Sequence, residues 1–156
     1  MRPLKLGIFL DIFEGVGQDG QVTPAKRWDE LRDFARRVES LGFDSLWLPD
    51  HLLWREEGEK DSTRGPWEAW SMLAALAATT ERIKLGALVL CTAFRNPALV
   101  AKMADTVDEI SGGRLILGLG AGYHEPEFRA FGCPYDHRIS RFEEALTMIT
   151  TLLREG

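Results

Sequence analysis

Residues 83–120 contain one complete strand–helix–strand unit, with the sequence IKLGALVLCTAFRNPALVAKMADTVDEISGGRLILGLG. Two apolar runs, IKLGALVL (83–90) and RLILGLG (114–120), are short and rich in large aliphatic residues, which predicts buried strands rather than helices. Between them, Asn96–Pro97 provides an N-cap and a proline at the first helical position, and Gly112–Gly113 ends the helix. Strands that are nearly all apolar are covered on both faces, which is typical of a parallel sheet with helical crossovers.

The same unit recurs towards both ends of the chain. The runs LKLGIFL (4–10) and FDSLWL (43–48) predict two further strands, and helical periodicity follows each predicted strand. Helix starts are predicted at Thr23–Pro24, near Pro66, at Asn96–Pro97 and at a capping box formed by Ser140 and Glu143. The resulting order, βαβαβαβα, predicts an α/β protein built on a parallel sheet.

Two architectures fit this order of elements. One is an open, doubly wound sheet, and the other is a (β/α)8 barrel. A complete barrel needs about 250 residues, so the four units of this 156-residue chain would form a half-barrel. The first and fourth strands of a half-barrel have unpaired edges, which favour association with another strand. The barrel alternative therefore predicts a homo-oligomer or a complementary half-barrel as partner.

Composition limits the classes of function. The chain has 19 Lys and Arg against 24 Asp and Glu, a net charge of −5 with both signs interleaved, which argues against a nucleic-acid surface. No apolar run approaches the ~18 residues of a membrane span, and the N-terminal apolar stretch is too short for a secretory signal. The two cysteines, Cys91 and Cys133, form neither a CxxC motif nor a disulfide framework. We expect a soluble, cytoplasmic protein without nucleic-acid or membrane partners.

Polar residues gather directly after the predicted strands. Ligands of parallel α/β folds bind at the carboxyl ends of the strands, where this sequence places Asp11, Asp50–His51, Arg95 and the segment 120–125. Each feature also has a purely structural interpretation. The Asp50 carboxylate could cap a backbone amide, Arg95 could pair with a surface acid, and His124 could simply be exposed.

The glycine-rich segment GLGAG (118–122) could bring backbone N–H groups close to a phosphate. It is not the dinucleotide fingerprint G-x-G-x-x-G, because Tyr123 stands where the third glycine should be, and it follows the fourth strand rather than the first. A metal site is not predicted either, because the three histidines lie in separate loops.

Taken together, these stretches resemble the luciferase-like flavin and deazaflavin oxidoreductases. The resemblance rests on KLGIFL, ESLGFDSLWLPDH, TTERIKLGALVL, the long block FRNPALVAKMADTVDEISGGRLILGLGAGYHEPEFRAFG and the closing RFEEALTMI. It implies a (β/α)8 barrel that binds FMN or the deazaflavin coenzyme F420 at the carboxyl ends of its strands. Residues 1–156 correspond to the N-terminal half of that barrel.

The resemblance also implies roles for single residues. His51 matches the histidine that faces the reactive edge of the flavin, where it would transfer a proton or stabilise the reduced cofactor, and Asp50 would orient it. A non-prolyl cis peptide that supports the ring is expected at Leu88–Val89, with Thr92 near the polar edge of the ring.

The loop after the fourth strand is expected to line cofactor and substrate through Gly120, Gly122, Tyr123 and His124. Tyr123 stands where deazaflavin-dependent sugar-phosphate dehydrogenases carry a catalytic acid, which argues against that reaction. The long central block favours coenzyme F420 as the cofactor, with FMN as the alternative.

These features predict an oxidoreductase that transfers hydride between F420 or FMN and a small organic substrate. A non-catalytic half-barrel, which would serve as an assembly module or need a second half to bind cofactor, is the alternative from another class. An open-sheet nucleotide-binding protein is a third possibility, and pairing of the outer strands with a partner would exclude it.

Overall fold

The computed structural model describes residues 4–16, 21–55 and 63–155. In chain order the elements are β1 (Gly7–Phe9), β2 (Gly15–Val16), β3 (Val22–Thr23), α1 (Trp28–Ser40), β4 (Ser45–Leu48), β5 (Trp54–Arg55), β6 (Thr63–Arg64), α2 (Ala69–Thr79), β7 (Lys84–Ala87), β8 (Leu90–Cys91), a short 3-10 helix (Thr92–Phe94), α3 (Pro97–Ser111), β9 (Leu115–Ile116), β10 (Leu119–Gly120), α4 (Glu125–Ala130) and α5 (Arg138–Glu155).

The main sheet has four parallel strands in the order β1-β4-β7-β9. This confirms the predicted parallel α/β fold and the order of its units. A second parallel pair, β8 and β10, extends the sheet beyond β7 and β9. The predicted strands 83–90 and 114–120 are therefore each broken in two. The first break lies at Leu88–Val89, whose peptide bond is cis, as expected from the resemblance.

Helices cover one face of the main sheet. Contacts run from α1 to α2, from α2 to α3 and from α3 to α5, so these helices form a single layer. Leu46 and Leu48 of β4 are fully buried against it. On the opposite face Phe9 is half-exposed, and the Trp47 indole lies over Gly86. A one-sided helix layer is the arrangement of a barrel wall, and it favours the barrel over the open doubly wound sheet, which carries helices on both faces.

Helix α3 begins and ends where the sequence predicts. The Asn96 side chain accepts the N–H groups of Ala98 and Leu99, Pro97 occupies the first turn, and Gly112 ends the helix with a φ of 67°. A positive φ costs glycine little because it has no Cβ.

The other three helix starts differ from the prediction. Helix α1 begins four residues after Pro24, where Glu30 accepts the Arg27 N–H, and α2 begins after Glu68, which caps it. The predicted capping box at Ser140 is wrong, because α5 already begins at Arg138 and the Ser140 hydroxyl donates to the His137 carbonyl.

Two short antiparallel pairs, β2–β3 and β5–β6, and helix α4 are additions that strand and helix periodicity does not predict. They occupy the loops after β1, β4 and β10, at the carboxyl end of the sheet. Within 4–16, 21–55 and 63–155, no helix has the length and apolar character that crossing a membrane requires.

Candidate active site

The loops that follow β1, β4 and β10 meet at the carboxyl end of the sheet. The His51 ring, just after β4, lies 5.8 Å from the Phe13 ring after β1 and 5.8 Å from the Tyr123 ring after β10, measured between centroids. Residues that are far apart in the sequence thus converge because parallel strands end on the same side.

Asp50 belongs to a closed cluster of charges. Its fully buried carboxylate accepts two hydrogen bonds from the Arg95 guanidinium, at 2.7 and 2.8 Å, and a third from the Cys91 backbone N–H at 2.7 Å. Arg95 also donates to Glu68, the N-cap of α2. We call Asp50, Glu68 and Arg95 the Asp50 cluster.

Electrostatics within the Asp50 cluster favour the charged forms of Glu68 and Arg95. Burial opposes ionisation of Glu68, but hydrogen bonds from Ser71, Trp70 and Arg95 outweigh it and lower the pKa of Glu68 to about 2. Burial likewise disfavours the charged Arg95, and the carboxylates of Asp50 and Glu68 outweigh this effect and raise its pKa. Arg95 thus pairs both with the buried Asp50 and with Glu68, an acid whose side chain is 41% exposed.

The carboxylate that contacts His51 is Glu127 of α4, and the Asp50 carboxylate binds Arg95 and Cys91 instead. His51 Nδ1 lies 3.0 Å from Glu127 Oε2. The other oxygen, Oε1, accepts the backbone N–H groups of Leu52 and Leu53 at 2.6 and 3.2 Å. The Glu127 side chain is only 2% exposed. The structure thus gives Glu127 the contact with His51 that the resemblance implied for Asp50.

Aromatic rings surround the His51 imidazole. The Trp54 and Tyr123 rings meet it edge-on, at centroid distances of 5.0 and 5.8 Å, and Phe13 lies on a third side. Trp54 in turn stacks on His124 at 4.8 Å. Burial and the nearby Glu127 carboxylate raise the pKa of the Tyr123 phenol, so this hydroxyl stays protonated at neutral pH. We call His51, Glu127, Trp54 and Tyr123 the His51 cluster.

Two cavities open beside His51. The first, of about 330 Å³, is lined by rings of Phe9, Phe13, Trp54 and Tyr123 together with Asp11, Pro49, Arg64 and Leu88. The second, of about 340 Å³, is lined by Leu88, Val89, Cys91, Phe94 and the segment 120–123, with Asp50 and Glu127 behind them. His51, Leu88 and Tyr123 line both cavities, and each volume is near the lower end of the range of small-molecule sites.

Most of the predicted site residues line these cavities. Leu88 and Val89 are 59% and 42% exposed although they are apolar and lie between buried strands. Gly120 and Gly122 allow the neighbouring loop to approach closely, because a Cβ on Gly120 would come within 2.5 Å of the Val89 side chain. Thr92 and His124 line neither cavity. Thr92 is buried and its hydroxyl donates to the Gly120 carbonyl, whereas His124 accepts the Arg55 N–H.

Cys91 is a buried thiol beside the second cavity. Burial, reinforced by the negative charges of Asp50 and Glu127, raises its pKa to about 12. A thiol that stays protonated is a poor nucleophile. Within the described ranges, no three His, Cys, Asp or Glu side chains are grouped so that they could hold a metal ion.

A family model described as luciferase-like monooxygenase matches residues 4–156. An F420-dependent glucose-6-phosphate dehydrogenase of Amycolatopsis mediterranei is 37% identical over 128 residues, which cover 79% of this chain and 37% of that protein. A 5,10-methylenetetrahydromethanopterin reductase of Archaeoglobus fulgidus is 34% identical over 132 residues, covering 85% of this chain and 36% of that protein.

A solved structure shows the same fold. An F420-dependent secondary alcohol dehydrogenase, in complex with an F420–acetone adduct, superposes with a TM-score of 0.72 at 25% identity, covering 94% of this chain and 41% of that one. The chain thus spans little more than a third of the length of the two curated relatives.

Proposed function

The chain belongs to the family of luciferase-like monooxygenases, and from this premise we propose that it forms the N-terminal half of an F420-dependent oxidoreductase barrel. The observation that carries the proposal is the position of His51. Its ring borders both a cavity floored by exposed apolar side chains and a cavity walled by aromatic rings. FMN is the alternative cofactor, and the binding experiment below separates the two.

The residues present fit a planar, largely apolar ring with polar edges. Leu88 and Val89 offer an exposed apolar surface, and Gly120 and Gly122 add no side chains to the facing wall. When bound, a deazaflavin supplies a carbon that accepts or releases hydride. The chain would contribute the ring support and exclude water from one side of it.

In this proposal His51 exchanges a proton with the substrate hydroxyl or carbonyl oxygen. Histidine is suited to this task because its ordinary pKa lies near neutrality. The rings of Trp54 and Tyr123 contact the imidazole edge-on and help to fix its orientation. Asp50 acts at one remove, because its bonds to Arg95 and to the Cys91 N–H tie the backbone just before His51 to the backbone that follows Leu88 and Val89.

The substrate of this proposal is a small alcohol or carbonyl compound with an apolar body. Four aromatic side chains line the first cavity, which favours an apolar surface on the ligand. Tyr123 is a neutral phenol at the place where sugar-phosphate dehydrogenases of the family are expected to have an acid. We therefore do not extend the sugar-phosphate activity of the relatives to this chain.

The outer strands of the main sheet support a proposal about assembly. β1 and β9 each pair with one neighbour within the described residues. Leu4 and Leu6, which precede β1, are exposed although they are apolar. We propose that these edges pair with further strands, supplied by a complementary half-barrel or by a second copy of the chain. The same edges would serve the alternative function, an assembly module without catalysis.

A cofactor titration tests the proposed function. F420 and FMN are added separately to the chain, and binding is followed through the absorbance and fluorescence of each cofactor. We expect F420 to bind more tightly than FMN, and Leu88→Glu to weaken F420 binding at least tenfold. Leu99→Glu is the matched control, because Leu99 is a similarly exposed leucine on α3, away from the cavities. Tighter binding of FMN would replace the cofactor assignment, and equal binding by both variants would contradict the proposed site.

A further inference from the structure

We propose that Glu127 is a positioning residue that fixes the tautomer of His51 and thereby makes Nε2 the atom that exchanges the proton. The catalytic use of this atom rests on the proposed function above. The tautomer itself is a property of the folded chain and needs no bound cofactor.

The contact between the two side chains gives the direction of the hydrogen bond. Glu127 Oε2 lies 3.0 Å from His51 Nδ1, a normal hydrogen-bond distance. A carboxylate only accepts hydrogen bonds, whereas a neutral imidazole has one N–H and one bare nitrogen. The bond therefore needs the proton on Nδ1, which leaves the lone pair on Nε2.

Further hydrogen bonds fix the orientation of the Glu127 carboxylate. Its Oε1 accepts the backbone N–H groups of Leu52 and Leu53, directly after His51. The side chain is 2% exposed, and α4 carries it from the opposite side of the site. One buried carboxylate thus binds both the ring of His51 and the backbone that carries it. This arrangement fixes the position of the imidazole as well as its proton.

The remaining nitrogen is available to a bound molecule. Across residues 4–16, 21–55 and 63–155, His51 Nε2 has no hydrogen-bond partner, while the ring lines both cavities. Trp54 and Tyr123 meet the ring with their planes nearly perpendicular to it, at 81° and 86°. These contacts are apolar, so they do not compete with a substrate oxygen for the lone pair.

The substitution Glu127→Gln tests whether Glu127 sets the tautomer of His51. A glutamine has the same shape, and its single oxygen must accept the N–H groups of Leu52 and Leu53, since an NH₂ group there would face two donors. The NH₂ group then faces His51 Nδ1 and donates to it. The proton of the neutral ring must move to Nε2, so the variant should carry the opposite tautomer.

The tautomer is measured by ¹⁵N NMR of the imidazole nitrogens in the chain without cofactor. At about pH 8.5, two units above the ordinary pKa of histidine, we expect the Nδ1–H form of His51 to exceed the Nε2–H form at least tenfold in the wild type. We expect that ratio to invert in Glu127→Gln. Glu125→Gln is the matched control, because Glu125 lies two residues earlier on α4 and pairs with Arg129 at the surface. It should leave the ratio unchanged.

Each outcome decides the proposal. A wild-type ring that is protonated on Nε2, or on both nitrogens at this pH, overturns it even if Glu127→Gln fails to fold. A folded Glu127→Gln variant with the wild-type tautomer also overturns it. If the ratio inverts but the wild type has no F420 activity, the positioning role stands and the proposed function fails. If both hold, turnover of Glu127→Gln should fall at least tenfold, with the wild-type affinity for F420.

Discussion

Asp50 and His51 are neighbours in the sequence, yet they belong to clusters of opposite character. Every oxygen of the buried Asp50 carboxylate is bound, by the Arg95 guanidinium and by the Cys91 N–H. His51 uses one ring nitrogen to bind Glu127 and keeps the other for the cavity. The Asp50 cluster is thus closed, whereas the His51 cluster is open at one atom.

Whether all the hydrogen-bonding atoms of a side chain are already used indicates its role, structural or chemical, better than its residue type does. A buried charge with all its hydrogen bonds satisfied holds the surrounding backbone in place and has nothing left to offer a ligand. A partly buried ring with one nitrogen that makes no hydrogen bond can react because its neighbours already hold it in position. The closed cluster therefore supports the open one, and changes in the two should have different consequences.

The largest expected effect is on the stability of the closed cluster. We expect Asp50→Asn to lower the free energy of unfolding by about 3–5 kcal/mol, because it leaves the buried Arg95 charge without its main partner. Urea unfolding measures the change. Asp33→Asn, which removes the exposed partner of Arg32 on α1, should cost less than about 1 kcal/mol. An equal loss of unfolding free energy in the two variants would show that the Asp50–Arg95 pair stabilises the fold no more than a surface ion pair does.

The open cluster should respond in turnover rather than in stability. We expect His51→Ala to reduce F420-dependent turnover by about 100-fold, the usual scale for a lost acid–base group. The free energy of unfolding should fall by only about 1 kcal/mol, since Glu127 keeps its two backbone donors. Steady-state rates per folded molecule and urea unfolding give the two numbers. Full turnover in a stably folded variant would remove His51 from the reaction.

Gly122 lies between Cys91, whose N–H binds Asp50, and Phe128, which follows Glu127 on α4. Its φ is 74°, and an added Cβ would lie 2.6 Å from the Cys91 sulfur and 2.7 Å from the Phe128 ring. We expect Gly122→Ala to cost about 2 kcal/mol in thermal or urea unfolding, from strain and overpacking together. Gly42→Ala, with a similar φ of 84° and open space around it, should cost about 1 kcal/mol. If the two costs are equal, close packing at Gly122 contributes nothing.

The smallest effect concerns acid stability. The pKa of Glu68 is lowered from 4.5 to about 2 because hydrogen bonds from Ser71, Trp70 and Arg95 outweigh its burial. A lowered pKa means that the folded state releases this proton more readily than the unfolded state. The stabilisation is therefore complete above pH 4.5 and is lost as the pH falls towards 2.

Between pH 5 and pH 2 the free energy of unfolding should fall by about 1 kcal/mol less in Glu68→Gln than in the wild type. This value is reduced to allow for the partial exposure of the Glu68 side chain. Unfolding free energies at several pH values between 2 and 5 measure it. Glu81→Gln removes one exposed acid and controls for net charge. Parallel curves for wild type and Glu68→Gln would contradict the role of Glu68 in the closed cluster.

Local patterns predicted the framework of this protein. Short apolar runs located all four strands of the main sheet, and Asn96, Pro97 and Gly112 located both ends of α3. These features depend on neighbours within a few residues, so the sequence carries them directly. The resemblance to a known family then supplied the cis peptide at Leu88–Val89, which no local pattern indicates.

Glu127 escaped prediction because nothing near it in the sequence marks it as different from Glu125. The two carboxylates lie two residues apart on α4, and one is buried against His51 while the other pairs with Arg129 at the surface. The short α4 itself was not predicted either. To identify Glu127, one would have to predict which of the two acids in the segment EPEFRAFG is buried. That depends on how α4 packs against the rest of the chain.

The sequence by itself determined which residues are available at the carboxyl ends of the strands, because strand and loop boundaries follow from local hydrophobicity. Only the tertiary structure decided which of these residues act on each other. Asp50 contacts Arg95 and His51 contacts Glu127, across separations of 45 and 76 residues. Such pairings depend on the register of parallel strands and on the packing of α4. Both are set by the burial of the whole core, and no short stretch of sequence contains them.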